Sequence, residues 1–139
     1  MTSLYQTRAT ATSGRQGHVA SDDGLLALDL AYPKALGGSG TATNPEQLFA
    51  AGYAACFSNA ILFVAKQQQL ALTTAPVTAD VGLHQAASGF ALSVALAVTL
   101  DLPAETARAL VASAHQVCPY SNATRGNIAV TLSVNGQPL

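Results

Sequence analysis

Between Leu48 and Ala65 apolar or small residues lie on every side of a helical wheel. A helix of that kind has no face for water and is expected to be buried all round. It belongs at the centre of a fold, with other elements covering it. Its start is well marked. Asn44 can cap it with Pro45 at the first helical position, and Thr43-x-x-Glu46 also fits a capping box. The two registers differ by one residue, and both stay open. Gln67-Gln-Gln69 ends the apolar run, so the spacing predicts a helix over roughly 45–69. Only 9% of residues are charged, against 50% hydrophobic, where a soluble domain is typically about 25% charged. A compact monomer of 139 residues would struggle to cover itself with so few charges. The apolar excess predicts burial against another subunit.

The remaining segments read as strands and one more helix. Residues 5–12 alternate loosely, Ser13-Gly-Arg-Gln-Gly17 and Asp22-Asp-Gly24 are turn signals, and Val19, Leu26, Leu28 and Leu30 fall at strand positions. The first third is thus predicted to be an antiparallel meander, followed by a flexible Gly37-Gly-Ser-Gly40 loop. Residues 77–84 and 90–100 are the next strands, joined by Gln85-Ala-Ala-Ser-Gly89 as a hairpin connection. The second is almost wholly apolar, as central strands are. Pro103 opens a helix over 104–117, and Pro119 stops it. Residues 127–134 form the last strand, which Asn135-Gly136 breaks. The order β-β-β-α-β-β-α-β makes an α+β fold, with residues 1–139 as a single domain.

Several classes are disfavoured. The net charge of −1 gives no basic face for nucleic acid or an acidic membrane. No run of roughly 18 apolar residues free of polar interruption marks a membrane span. Met1-Thr-Ser-Leu-Tyr-Gln-Thr-Arg8 lacks the apolar core of a secretory leader. A reducing, cytoplasmic setting is therefore expected, where lasting structural disulfides are rare.

That expectation turns attention to the two cysteines, Cys56 inside the apolar helix and Cys118 at the end of the second helix. A buried cysteine is often a small hydrophobe and nothing more. Thiol chemistry needs a thiolate, and so a cation or strong donors nearby. The chain has six Lys and Arg residues. Arg15 stands out because its Gly-flanked turn lets the backbone approach another element closely. Glu46 is favoured at a helix start by the dipole alone. It can also orient Arg15 through a bidentate pair, leaving a guanidinium edge for a thiolate. Glu46 and Cys56 are ten positions apart, so on one straight helix they lie roughly 15 Å apart along the axis and point about 80° apart around it. Either the helix bends near Gly52 or Glu46 serves the Cys56 of a partner subunit. The charge-poor composition favours the partner. His115-x-x-Cys118 has only Cys56, His18 and His84 as further metal ligands, so no metal is expected. A Cys–His hydrolase built on Cys56 and His115 lacks a marked orienting residue.

The segments Thr43-Asn-Pro-Glu-Gln-Leu-Phe-Ala-Ala-Gly-Tyr-Ala-Ala-Cys56 and Val117-Cys-Pro-Tyr-Ser-Asn-Ala-Thr-Arg-Gly-Asn127 closely resemble the organic hydroperoxide resistance proteins, the Ohr branch of the Ohr/OsmC family. Ser13-Gly-Arg-Gln-Gly17, Asp23-Gly24 and Pro33-Lys-Ala-Leu-Gly-Gly38 also fit, and the likeness covers nearly the whole chain. The resemblance implies an intertwined α+β homodimer with antiparallel sheets around a buried central helix. It implies reduction of organic hydroperoxides, with Cys56 as the peroxidatic and Cys118 as the resolving cysteine. Arg15 and Glu46 match the residues that activate the thiolate. It further implies a Cys56–Cys118 disulfide, a dihydrolipoyl group on a lipoylated protein as reductant, and no bound cofactor or metal. Phe49, Tyr53, Phe57 and Ile61 flank Cys56 along its helix. Those not used in the core are expected to bury an alkyl tail, at about 25 cal/mol per Å². Two rivals stand beside this expectation: an OsmC-type peroxidase of broader peroxide use, and a binding protein switched by its disulfide.

Overall fold

The structure is a computed structural model that describes residues 1–139. The chain falls into two compact units, Met1–Leu48 and Phe49–Leu139, where the sequence is read as one domain.

The first unit is the expected meander: β1 (Ala9–Thr12), β2 (His18–Ser21) and β3 (Ala27–Asp29), paired antiparallel in that order. β1 is shorter than the expected 5–12. Its pairing starts only at Ala9, opposite Ser21 at the far end of β2. The turn between β1 and β2 is a short 3-10 segment, Gly14–Gln16, with Arg15 at its centre. Gly17 closes the turn so tightly that a Cβ there would lie 1.6 Å from the Thr12 carbonyl oxygen. In this unit Leu30 and Asn44 are the buried residues, while Leu4, Tyr5, Leu25 and Leu36 stand at least half exposed. A three-stranded sheet needs a covered apolar face to be stable, and the side chains of this unit are largely without one.

Helix α1 (Pro45–Gln67) starts here and runs on into the second unit without interruption. Asn44 is its cap: the Gln47 N–H donates to Asn44 Oδ1 at 2.9 Å. The Thr43 register is not used as a cap, since Thr43 Oγ1 donates instead to Gln47 Oε1.

The second unit holds a four-stranded sheet, in the order β4 (Val77–Ala86), β5 (Gly89–Val98), β6 (Val130–Val134) and β7 (Gln137–Pro138). α2 (Ala104–Val117) and α3 (Pro119–Thr124) lie between β5 and β6 in the chain. β5 is central, as its apolar sequence predicts, and pairs antiparallel with β4 and parallel with β6. The sheet is therefore mixed, because a helical crossover returns the chain to the edge of β5 that β4 leaves free. The observed order, β-β-β-α-β-β-α-α-β-β, adds two elements to the expected one. Pro119 does stop α2, but it also stands at the first position of α3, where its missing N–H costs nothing. Asn135-Gly136 breaks β6 by turning it into the two-residue β7. Along β5 the side chains alternate: Val94, Leu96 and Val98 are buried, and Ala91, Ser93, Ala95 and Ala97 are exposed.

One expectation about α1 is corrected. Tyr53, Phe57, Ala60, Ile61, Val64 and Ala65 are buried in a core shared with Val94, Leu96, Val98, Leu110 and Val111. Ala51, Ala55, Asn59 and Phe63, spaced four apart on another face, are exposed. Within its unit the helix is thus buried on one side, not all round. α1 also meets the length and composition of a membrane-crossing helix, with a mean hydropathy of 1.8 in its most apolar window. The absence of an unbroken apolar run does not separate the two cases. Its burial of large side chains against the sheet and α2 reads instead as the core helix of a globular unit.

The turn after β6 generates a stability prediction. Asn135 holds a left-handed backbone, φ 50°. Its side chain brackets Leu100, with Leu100 N–H donating to Oδ1 and Nδ2 donating to the Leu100 carbonyl, both at 2.9 Å. Asn135→Ala should cost about 1–3 kcal/mol in a urea titration at fixed protein concentration. Asn135→Gly keeps the backbone conformation and should reveal the hydrogen-bond part alone.

Candidate active site

Cys118 sits at the corner between α2 and α3, with extended backbone angles and no surface exposure. Cys56 lies on α1 beside the buried Phe57 and is itself half-buried. Both are free thiols, and the Cys118 thiol donates to Cys56 Sγ across 3.6 Å. They are separated by 62 positions in sequence.

The start of α3 is seated on α1 by Tyr120. Its ring stacks within 6.3 Å of Phe49 and 5.7 Å of Tyr53. Gly52 makes the room: a Cβ there would lie 2.9 Å from Tyr120 Oη and 3.2 Å from its ring. Close approach, not a bend, explains this glycine. Once α3 is seated, the Tyr120 N–H, unpaired within the first turn of its helix, donates to Cys56.

The electrostatics of Cys56 within its unit run against ionisation. Burial pushes its thiol above the ordinary range, the neighbouring Cys118 adds to this, and the Tyr120 N–H offsets it in part. None of these groups is a cation. The cation singled out in the sequence, Arg15, is held in the first unit by Glu46. Arg15 Nη1 donates to Glu46 Oε2 at 2.7 Å and Nη2 to Oε1 at 2.6 Å. This is the bidentate geometry in which both donors of one guanidinium edge meet both carboxylate oxygens. The pair is mostly covered, with side chains 26% and 17% exposed. The hydrogen bonds from Arg15 hold the Glu46 carboxyl below its usual range, and Glu46 raises Arg15 further.

The four residues expected to divide between the core and an alkyl contact do so unevenly. Tyr53, Phe57 and Ile61 are fully buried in the core. Large apolar side chains on the sheet-facing side of α1 are needed there for packing and have no surface left for a substrate. Phe49 alone remains half-buried, beside the partly exposed Tyr120.

Sequence reasoning missed the polar groups around the corner. Tyr53 Oη lies 2.9 Å from Ser121 Oγ and 3.2 Å from Thr124 Oγ1. His115 Nδ1 lies 2.9 Å from the same Ser121 Oγ. Burial, and then the charge of Arg125, holds the His115 imidazole below its ordinary pKa, so it is neutral at pH 7. His115 is tied to Ser121 and belongs to no cluster of metal-binding residues. The run Ser121-Asn-Ala-Thr124, which begins three positions beyond Cys118, was the sequence signal for these hydroxyls.

Residues 38–133 match the family model described as OsmC-like protein. The chain belongs to the OsmC-like family. Within this family it is 49% identical over 134 residues to the organic hydroperoxide resistance protein of Xanthomonas axonopodis pv. citri, covering 94% of each chain. It is 48% identical to the organic hydroperoxide resistance protein OhrB of Bacillus subtilis, covering 94% of this chain and 98% of that one. The crystal structure of OhrB matches with a TM-score of 0.86 over 95% of this chain and 99% of that chain. A candidate organic hydroperoxide resistance protein of Vibrio cholerae is 64% identical, with a TM-score of 0.98, covering 100% of this chain and 97% of that one. These relatives place the chain in the organic hydroperoxide resistance branch of the OsmC-like family, as the motifs imply.

The Arg15–Glu46 pair sets a pH dependence. Its stabilisation is present above the unfolded-state carboxylate pKa and is lost as pH falls through the depressed folded value. The carboxyl carbon of Glu46, followed by NMR, should titrate below the ordinary carboxylate position. In Arg15→Ala it should titrate at the ordinary carboxylate position. A Glu46 titration unmoved by Arg15→Ala would mean that the pair does not persist in solution.

Proposed function

We propose that this protein is a cytoplasmic thiol-dependent peroxidase that reduces organic hydroperoxides to alcohols. The observation that carries the proposal is the pair of reduced sulfurs 3.6 Å apart, one half-buried and one fully buried, on different helices of one chain. The names of the relatives, organic hydroperoxide resistance proteins at 48–49% identity, point the same way.

In this proposal the Cys56 thiolate attacks the outer oxygen of the hydroperoxide. The O–O bond breaks, the alcohol leaves with a proton, and Cys56 becomes a sulfenic acid. The Cys118 thiol displaces the hydroxyl as water and closes a Cys56–Cys118 disulfide. A bonded pair of sulfurs lies about 2.05 Å apart, so closure draws the two together by roughly 1.5 Å and asks for little rearrangement. A dihydrolipoyl dithiol, carried on a lipoylated protein, returns both electrons by exchange and ends as its own disulfide. No metal and no bound cofactor enters any step.

Arg15 supplies the charge that Cys56 lacks within its own unit, and Glu46 keeps the guanidinium oriented. A second copy of the chain completes the molecule as a homodimer. It covers the exposed Ala51, Ala55 and Phe63 side of α1 and the apolar side chains of the first unit, and it receives the Arg15–Glu46 pair at its Cys56. Phe49 and Tyr120 offer the alkyl tail of the substrate an apolar contact, which hydrogen peroxide has no tail to use.

Peroxide consumption driven by dihydrolipoamide, with thioredoxin and glutathione as controls, tests the whole cycle. Cumene hydroperoxide should be reduced faster than hydrogen peroxide, and equal rates would overturn the organic specificity. Cys56→Ser should abolish turnover, and Cys118→Ser should retain the first oxidation without forming a disulfide. In Arg15→Ala the Cys56 thiol should ionise at higher pH and react more slowly. An unchanged alkylation profile would remove Arg15 from the activating role. Light scattering should give the mass of two chains.

A further inference from the structure

We propose that His115 is a positioning residue for Cys118, its Nδ1–H starting a one-way hydrogen-bond chain that locks the corner between α2 and α3 for disulfide closure. This rests on the peroxidase reading above and adds a residue that reading does not use.

The direction of the chain follows from counting protons. Thr124 Oγ1 donates to the Ser121 carbonyl oxygen at 3.2 Å, and a carbonyl can only accept. The one Thr124 hydroxyl proton is therefore in use. Tyr53 Oη, 3.2 Å from Thr124 Oγ1, must be the donor there. Ser121 Oγ, 2.9 Å from Tyr53 Oη, must then donate to the tyrosine. His115 Nδ1, 2.9 Å from Ser121 Oγ, has only the donor role left. The imidazole thus carries its proton on Nδ1. All four links lie within hydrogen-bond distance, and no buried side-chain nitrogen or oxygen lacks a partner.

The four residues come from three helices: Tyr53 from α1, His115 from α2, Ser121 and Thr124 from α3. Tyr53 and Ser121 are fully buried, and Thr124 nearly so, so water does not compete for the bonds among these three, while His115 closes the chain from a half-buried position. Arg125 adds a second tie over the same corner, donating to the His115 carbonyl oxygen at 2.7 Å and to Asn122 Oδ1 at 2.6 Å. Cys118 stands in the middle of the bracketed segment, between His115 and Ser121. A rigid corner keeps its sulfur beside Cys56 while the sulfenic acid exists. The step it serves joins the Cys56 sulfenic acid and the Cys118 thiol into a disulfide and releases water.

The test separates the two steps in full-length protein. After a pulse of cumene hydroperoxide, sulfenic acid is trapped with dimedone and disulfide is followed by mass. His115→Ala should form sulfenic acid within about twofold of the wild-type rate but close the disulfide roughly tenfold or more slowly. Excess peroxide should then yield Cys56 sulfinic acid, which the wild type avoids. His115→Asn, whose amide N–H occupies the place of Nδ1–H, should restore closure. Ser121→Ala breaks the chain at its next link and should behave like His115→Ala. Circular dichroism establishes that each variant is folded, and nitrogen-15 NMR of reduced wild type should give the Nδ1–H tautomer. Wild-type closure rates in both His115→Ala and Ser121→Ala, no rescue by Asn, or the Nε2–H tautomer would overturn the proposal. A wild type that forms no disulfide at all would overturn the peroxidase reading, and this role with it.

Discussion

The side of α1 that carries Tyr53, Phe57, Ile61 and Val64 is packed into one core with β5 and α2. Full burial of each such side chain is worth about 1.5–3 kcal/mol, so this face sets the rotation of the helix within its unit. Cys56 precedes Phe57, and its direction follows from that rotation. The same face delivers the Tyr53 hydroxyl into the core, where Ser121 and Thr124 receive it. α3 is thereby fastened to α1, and Cys118 comes within 3.6 Å of Cys56. An apolar interaction thus places the polar chain, and the polar chain places the thiol.

Charge is distributed otherwise. The thiols occupy a unit whose burial disfavours a thiolate, and the bidentate Arg15–Glu46 pair belongs to the other unit. A half-buried cysteine with a raised pKa reacts slowly on its own. In the proposed homodimer, a pre-oriented guanidinium brought to it would confine reactivity to the assembled site. The first unit has almost no core, and α1 leaves a side exposed. Both features fit the homodimer proposed above.

Much of the architecture was legible because it depends on local patterns. The Asn44-Pro45 start of α1, the span of α2 and the apolar centre of β5 are written in caps, prolines and runs of apolar residues. The parallel pairing of β5 with β6 was not, since strand direction depends on how a crossover returns. α3 was hidden because Pro119 is both a stop for one helix and a start for the next. Of the candidate functional residues, Cys56, Cys118, Arg15 and Glu46 stand out by residue type and by motif. Tyr120 and the His115–Ser121–Tyr53–Thr124 chain do not, because their importance lies in contacts between elements far apart in sequence.

Local patterns in the chain specify the chemical groups and the elements that carry them: one thiol on a helix and one at a helix end, an arginine in a tight turn, a carboxylate at a helix start. Which groups meet depends on the three-dimensional packing. It paired Arg15 with Glu46, set Cys118 against Cys56, and assigned Tyr53, Phe57 and Ile61 to the core and not to a pocket. The physical reason is that composition and periodicity fix what a segment does locally. Distances between segments come from side-chain packing, to which residues far apart in the chain contribute together.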